Sequence, residues 1–175
     1  MEKVKIEIQR LANLYLGQKE KKGNSGFFDP IFEEEMKAIG WLKGYPWCMS
    51  FVRLVYLKAI RKVCPENVGL EGFVRLALKH SVLGTYNELK KVNPYFAITH
   101  ETIPGGIVLW KTSVTNGHAG LALPNASLKT IKSIDGNTNK AGSREGEIVA
   151  EKTRSITGNG KWQYLGCASL RGDNA

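Results

Sequence analysis

The first half of the chain has apolar residues at helical spacing. Val4, Ile8, Leu11 and Tyr15 lie on one face of a helix that we predict over residues 3–16. Charged residues fill many of the positions between them, as in a helix with one buried face. The pattern predicts an amphipathic helix that packs on the rest of the protein.

Proline marks the helix boundaries further along. Asp29-Pro30 has the order of an N-cap followed by proline in the first helical turn, so a second helix is predicted from Pro30. A third helix is predicted from near Pro46 as far as Pro65, and it carries a wide apolar face. One or two shorter helices are expected within residues 70–92.

The second half of the chain has the pattern of β-strands. Short apolar runs follow Pro104 and are separated by turn clusters rich in Gly, Asn and Ser. Five strands are predicted, at residues 107–110, 118–123, 128–134, 147–153 and 162–170. Helices followed by antiparallel strands indicate an α+β fold. A length of 175 residues indicates a single domain over 1–175.

The net charge of the chain indicates which surroundings the protein favours. The formal net charge is +9 and the sequence pI is about 9.5, which favours a polyanionic environment. The basic residues are scattered and form no arginine-rich arm. We therefore expect a solvated basic surface and no nucleic-acid partner. We also expect a monomer.

The N-terminal segment lacks the pattern of a secretory signal. MEKVKIEIQRLANLYL alternates charged and apolar residues and has no continuous apolar stretch. Elsewhere no segment is long and apolar enough to predict a membrane-spanning helix. The sequence therefore predicts synthesis in the cytoplasm without a signal peptide, and no stable membrane insertion.

Cys48, Cys64 and Cys167 are too few for a disulfide framework and include no CxxC pair typical of zinc sites. Cys64 and Cys167 are interpreted as buried and reduced, with a disulfide between them left open. Cys48 opens the third helix, where partial positive charge and unpaired N–H groups lower the pKa of a thiol. The alternative is a structural cysteine, since cysteine is among the most buried residue types.

His118 is the candidate base for this thiol. It begins a predicted strand in NGHAGLAL, where the flanking glycines leave room for a ligand or another backbone segment. An ordinary hairpin with the next strand sets His118 directly opposite Asp135, with Asn137 diagonal to it on the same face. That is the contact between base and orienting group in a catalytic triad. The alternative is that Asp135 and Asn137 only cap backbone groups in a turn.

Taken together, these segments resemble the CHAP domains, which are cysteine- and histidine-dependent amidohydrolases/peptidases of the papain-like superfamily. The matching segments fall in the family's order and cover nearly the whole chain: LGQKEKKGNSG, YPWCMSFV, PGGIVLW, GHAGLAL, IDGNTN and YLGCASL. The resemblance implies a papain-like CHAP fold, with N-terminal helices packed on a C-terminal antiparallel sheet. Gly106 stands where the family often has aspartate, and Met49-Ser50 replace the usual small pair after the cysteine.

The resemblance also implies a reaction. It makes Cys48 the nucleophile, His118 the general base and later acid, and Asp135 or Asn137 the residue that orients the imidazole. It implies hydrolysis of an amide or peptide bond in peptidoglycan through a thioester on Cys48, as in endolysins. This chemistry needs no metal and no cofactor.

Aromatic residues flank the cysteine. Trp41, Tyr45 and Trp47 are candidate substrate-binding residues, with packing as the alternative. Two other functions stay open: a non-catalytic phage or wall-binding module of the same fold, and a cysteine amidase acting on a non-wall peptide. Action on the cell wall would follow release or injection by phage or secretion machinery, or presence in a phage particle.

Overall fold

Helices form the first half of the chain and strands the second. The computed structural model describes residues 1–125, 127, 129–139, 146–157 and 162–172. The helices are α1 (Glu2–Leu14), α2 (Pro30–Ala38), α3 (Cys48–Val63), α4 (Val68–Ala77) and α5 (Val82–Leu89). The strands are β1 (Phe96–Thr99), β2 (Ile107–Lys111), β3 (Gly117–Ala122), β4 (Thr130–Thr138), β5 (Ile148–Ser155) and β6 (Gln163–Leu170).

The predicted helices and the five predicted strands are all present, with their ends moved by a few residues. Asp29 is the N-cap of α2, and its carboxylate accepts hydrogen bonds from the N–H groups of Ile31 and Phe32. The strand that the sequence did not predict is β1, which has four residues and pairs with β6. Its partner lies at the far end of the chain, so the local sequence carries little sign of it.

The strands form one antiparallel sheet in the order β1-β6-β2-β3-β4-β5. This confirms the α+β class. One face of the sheet, called here the inner face, joins the helices in the main core, and α3 contacts β3 and β4. The opposite or outer face carries a smaller apolar cluster: Val108, Trp110, Ala122, Ile131, Tyr164 and Cys167.

A glycine lets α3 approach β4 closely. A Cβ atom on Gly136 would lie 2.7 Å from both Phe51 Cβ and the ring of Trp47. Real Cβ atoms essentially never come that near to other heavy atoms, so only glycine fits between the strand and the first turns of the helix. The N-terminus of α3 is thereby held against the sheet.

The register of β3 on β4 differs from the predicted one. Leu121 pairs with Ile134 and Ala122 with Ser133, so Gly120 rather than His118 falls level with Asp135. The hairpin connection is longer than an ordinary turn, and its first backbone bond runs from Leu123 N–H to Lys132 O at 2.9 Å. The shift is two residues, and an even shift keeps side chains on the face that was predicted.

All three cysteines are buried, and none of them forms a disulfide. The disulfide left open between Cys64 and Cys167 is therefore not formed. Across the described residues, no helix combines the length and apolar character that crossing a membrane requires.

Candidate active site

Cys48 is the first residue of α3, and its side chain is only 5% exposed. Burial raises the pKa of the thiol. The hydrogen-bonding contact and charge of His118, followed by the backbone N–H groups of Ala119 and Met49, lower it further than burial raises it. The net pKa lies below the ordinary value, which favours the thiolate, the nucleophilic form of cysteine.

His118 lies on β3 and presents its two nitrogens to different groups. Nε2–H donates to Asp135 Oδ2 at 2.9 Å. Nδ1 is buried and makes no well-directed hydrogen bond with any described residue, so it is the nitrogen left for the Cys48 thiol. Burial lowers the pKa of the imidazole, but Asp135 and Cys48 outweigh burial and raise the pKa to about 9.

Asp135 is fully buried and meets three partners. Besides His118, Ser133 Oγ–H donates to its Oδ1 at 2.7 Å, and Arg154 Nη1 lies 2.5 Å from its Oδ2. Burial raises the pKa of this carboxyl, while the charge of Arg154, the bond from His118 and the bond from Ser133 together lower it below its usual value. Asp135 is therefore ionised in the folded protein.

Gly120 makes room for Asp135. A Cβ at this position would lie 1.9 Å from Asp135 Oδ1, so any side chain would displace the carboxylate. Because Gly120 has no side chain, the Asp135 carboxylate can lie over it and reach His118. In the strand pairing, His118 is the diagonal neighbour of Asp135 and not its directly opposite partner. The predicted contact between His118 and Asp135 is present, although the predicted pairing is wrong.

Asn137 occupies a different place from Asp135. Its backbone has a left-handed φ of 53°, and the pairing of β4 with β5 is irregular between Asp135 and Thr138. The side chain is 2% exposed and lines a cleft beside Cys48. Among the described residues no hydrogen bond joins it to His118, so Asp135 is the residue that contacts the imidazole.

The cleft opens on the Cys48 thiol. Its volume is about 170 Å³, which suits a small group rather than a large side chain. It lies between the start of α5 and the turn that joins β2 to β3. The residues that line it are Pro46, Cys48, His80, Ser81, Val82, Thr115, Asn116, Gly117 and Asn137.

Of the three candidate aromatic residues, two lie in the core. Trp41 and Trp47 are almost fully buried and pack edge-on or tilted against Phe27. Packing, the alternative left open above, accounts for both because their rings are closed off from any ligand. Tyr45 is 49% exposed, and its ring meets the edge of His80 at 6.3 Å between centroids. Tyr45 alone of the three lies near the cleft.

His80 is exposed and also lines the cleft. Its Nδ1 lies 3.2 Å from Ser50 Oγ in the first turn of α3. Burial, then the charge of Arg53, lowers the pKa of its imidazole.

Sequence analysis did not identify Arg154 or Trp162 as residues of the site. Arg154 lies on β5 and contacts Asp135. Trp162 lies just before β6 and contacts His118. Both contacts exist only because the strands pair in the folded sheet. No group of three or more His, Cys, Asp or Glu side chains in the described parts of the chain is arranged to hold a metal ion.

The arrangement is chemically that of a thiol nucleophile, a base and an orienting carboxylate. A helix N-terminus supplies backbone N–H groups beside the thiol. Comparison with protein-family models, with curated proteins and with solved structures gave no match in any of the three. The chain's sequence and site geometry therefore carry the functional argument.

Proposed function

We propose that the protein is a cysteine amidase or peptidase that hydrolyses an amide bond of peptidoglycan. The observation that supports it most is the contact chain Cys48–His118–Asp135, which ends at a cleft. Buried thiols usually have raised pKa values, whereas here the pKa of Cys48 is lowered by the histidine beside it. A papain-like CHAP fold is part of the proposal, in keeping with a cysteine at a helix start and a histidine on an adjacent strand.

Acylation begins from the thiolate of Cys48 and the imidazolium of His118. The sulfur forms a bond to the amide carbonyl carbon, and the π electrons move to the oxygen. The Cys48 backbone N–H and the Asn137 side-chain amide are the donors we assign to that oxyanion. His118 Nδ1 then gives its proton to the amide nitrogen, the C–N bond breaks, and the amine leaves.

Deacylation reverses the roles of the histidine. Neutral His118 takes a proton from water as the water oxygen bonds to the thioester carbon. The C–S bond then breaks, which releases a carboxylic acid and restores the thiolate and imidazolium. Asp135 stays ionised and holds the ring orientation throughout.

Peptidoglycan is proposed as the substrate for two reasons. The sequence resembles CHAP domains, and the +9 charge suits a polyanionic cell wall. The narrow cleft favours small residues next to the scissile bond, as in a stem peptide, a cross-bridge or the amide between glycan and L-Ala. Release or injection from the cytoplasm, or carriage on a phage particle, is the proposed route to the wall.

Digestion of purified peptidoglycan tests the proposal. Wild-type protein and Cys48→Ala are incubated with walls of several cross-bridge types, and soluble products are identified by mass spectrometry. We expect new amine and carboxyl ends with wild type only, and their masses name the bond. Folded wild-type protein that releases nothing from any wall type would refute the peptidoglycan substrate. Cleavage of a synthetic peptide amide instead would favour the non-wall amidase.

A further inference from the structure

Arg154 makes a close ionic contact with Asp135. Its side chain is only 13% exposed, and Nη1 lies 2.5 Å from Asp135 Oδ2, the same oxygen that accepts from His118. Neither terminal nitrogen makes a well-directed hydrogen bond with any described residue. The contact is therefore an ion pair, and Asp135 is the ionic partner of Arg154 among the described residues.

The ring of Trp162 packs against both Arg154 and His118. The Arg154 guanidinium lies 4.8 Å from the centre of the Trp162 ring, a cation–π distance. The centroid of the same ring lies 5.2 Å from that of His118. One aromatic side chain thus packs against both cations that flank Asp135, which keeps water away from the carboxylate.

The reactive form of the site carries two buried negative charges, the Cys48 thiolate and the Asp135 carboxylate. His118 as imidazolium supplies one positive charge. We propose that Arg154 is a positioning residue that supplies the second, so that thiolate, imidazolium, carboxylate and guanidinium form a neutral chain of alternating charges. Arg154 acts on the nucleophile through Asp135 and His118 and does not touch the substrate.

Other charged groups near this chain are few. Lys152 lies on the same face of β5 and is buried, and its ammonium donates to the Asn139 carbonyl. On the helix side, His80 lines the cleft and senses the charge of Arg53, and burial lowers the pKa of each. Arg154 is the cation in direct contact with the carboxylate, so its loss leaves the reactive form with an excess negative charge.

An excess buried negative charge disfavours ionisation of Cys48. Removing Arg154 is therefore expected to move the thiol toward its protonated form, although Cys48 itself is unchanged. A rise of about one unit in the pKa of the thiol lowers the thiolate fraction about tenfold at pH values below the midpoint. The rate of thiolate alkylation reports that fraction directly.

Iodoacetamide alkylation of Cys48 tests the proposal without any substrate. The thiolate sulfur bonds to the methylene carbon as iodide leaves, and the added mass is followed from pH 5 to 10. Cys48→Ala corrects for Cys64 and Cys167. In Arg154→Met we expect the pH midpoint of alkylation to rise by about one unit, and alkylation at pH values below the wild-type midpoint to slow about tenfold. Arg154→Lys, which keeps the charge, is expected within about threefold of wild type.

Circular dichroism checks whether Arg154→Met folds. If it does not, Arg154→Gln provides a second neutral substitution, with a polar side chain. Lys152→Met removes a neighbouring cation that binds a carbonyl, and a shift well below that of the Arg154 variants is expected. A folded neutral variant with the wild-type midpoint would overturn the proposal. The proposal rests on the proposed function only in taking Cys48 as the reactive thiol. Shifted alkylation with no peptidoglycan cleavage would retain it and reject the wall substrate.

Discussion

The two nitrogens of His118 have separate tasks. Nε2 is held by Asp135 at 2.9 Å, and Nδ1 is left for Cys48. The sequence allowed either Asp135 or Asn137 to hold the ring, because both fall on one face when the predicted hairpin is continued past residue 134. The structure separates them: Asp135 contacts the histidine, and Asn137 lines the cleft.

Asp135→Asn tests that separation. The amide keeps the size of the carboxylate but not its charge, so Cys48 is left to oppose the effect of burial, and the pKa of His118 should fall from about 9 by at least about one unit. NMR titration of the His118 ring protons measures it. Asn137→Ala is the comparison and should leave the midpoint unchanged. The opposite outcome, with only Asn137→Ala shifting it, would make Asn137 the orienting residue.

Gly120→Ala should damage the site through a single methyl group. The new Cβ would collide with Asp135 Oδ1, so the carboxylate must move away from His118 or the strands must separate. We expect slower alkylation of Cys48 at pH 7 and a free energy of unfolding lower by about 1–3 kcal/mol in urea titrations.

Gly72→Ala is the matched control for that substitution. Nothing lies within 4 Å of the Cβ that alanine would add on α4. Because alanine favours a helix, the variant should alkylate like wild type and gain about 0.5–1 kcal/mol of stability. Equal effects of the two substitutions would mean that the approach of Asp135 to Gly120 has no consequence.

At the scale of elements, the sequence predicted types and order better than pairing. Helix caps such as Asp29 and apolar spacing are local signals, and they located α1, α2 and α3. The hairpin register depends on the length of the β3–β4 connection, which Leu123 and Lys132 close. No local sequence pattern determines the length of this connection. The face of His118 was still correct because the error was an even number of residues.

Arg154 shows a second limit of the sequence. It reaches Asp135 from the next strand of the sheet, and its position on β5 looks like that of any solvated basic residue. Side chains that meet only through strand pairing leave no spacing pattern to recognise. The contact between His118 and Asp135 was therefore predictable, whereas the contact of Arg154 with Asp135 was not.

Glu20 links the segment after α1 to the start of α3. It is buried, and Trp47 Nε1–H donates to its carboxylate. Burial raises its pKa, the Trp47 bond lowers it, and the charge of Glu147 raises it, giving about 7. A carboxyl with a higher pKa when folded stabilises the fold at low pH. That contribution is lost as the pH rises through 7.

Glu20→Gln should remove this dependence on pH. The amide keeps an acceptor for Trp47 and carries no charge at pH 8. Relative to wild type, the variant should gain about 1–3 kcal/mol in free energy of unfolding between pH 5 and pH 8. Urea titrations of both proteins at the two pH values measure it. A difference that is the same at both would show that Glu20 does not titrate in this range.

For the whole molecule, stability comes from packing and not from cross-links. No disulfide joins any two of Cys48, Cys64 and Cys167. We therefore expect the same unfolding temperature, within about 1 °C, with and without a reductant, since no loop is closed by a disulfide. Calorimetry measures the temperature, and a thiol count in denaturant checks that all three cysteines react. A fall on reduction would mean that oxidised protein contains a disulfide.

The strand order has a consequence for the protein during synthesis. β6 lies between β1 and β2, yet it follows both in the chain, and Trp162 immediately precedes it. While residues 162–170 are still inside the ribosome, β1 has no partner strand and no ring covers His118 and Arg154. The sheet is completed by the strand that emerges after all the others. A newly made chain therefore keeps an incomplete sheet, and His118 and Arg154 stay uncovered, until residues 162–170 have emerged.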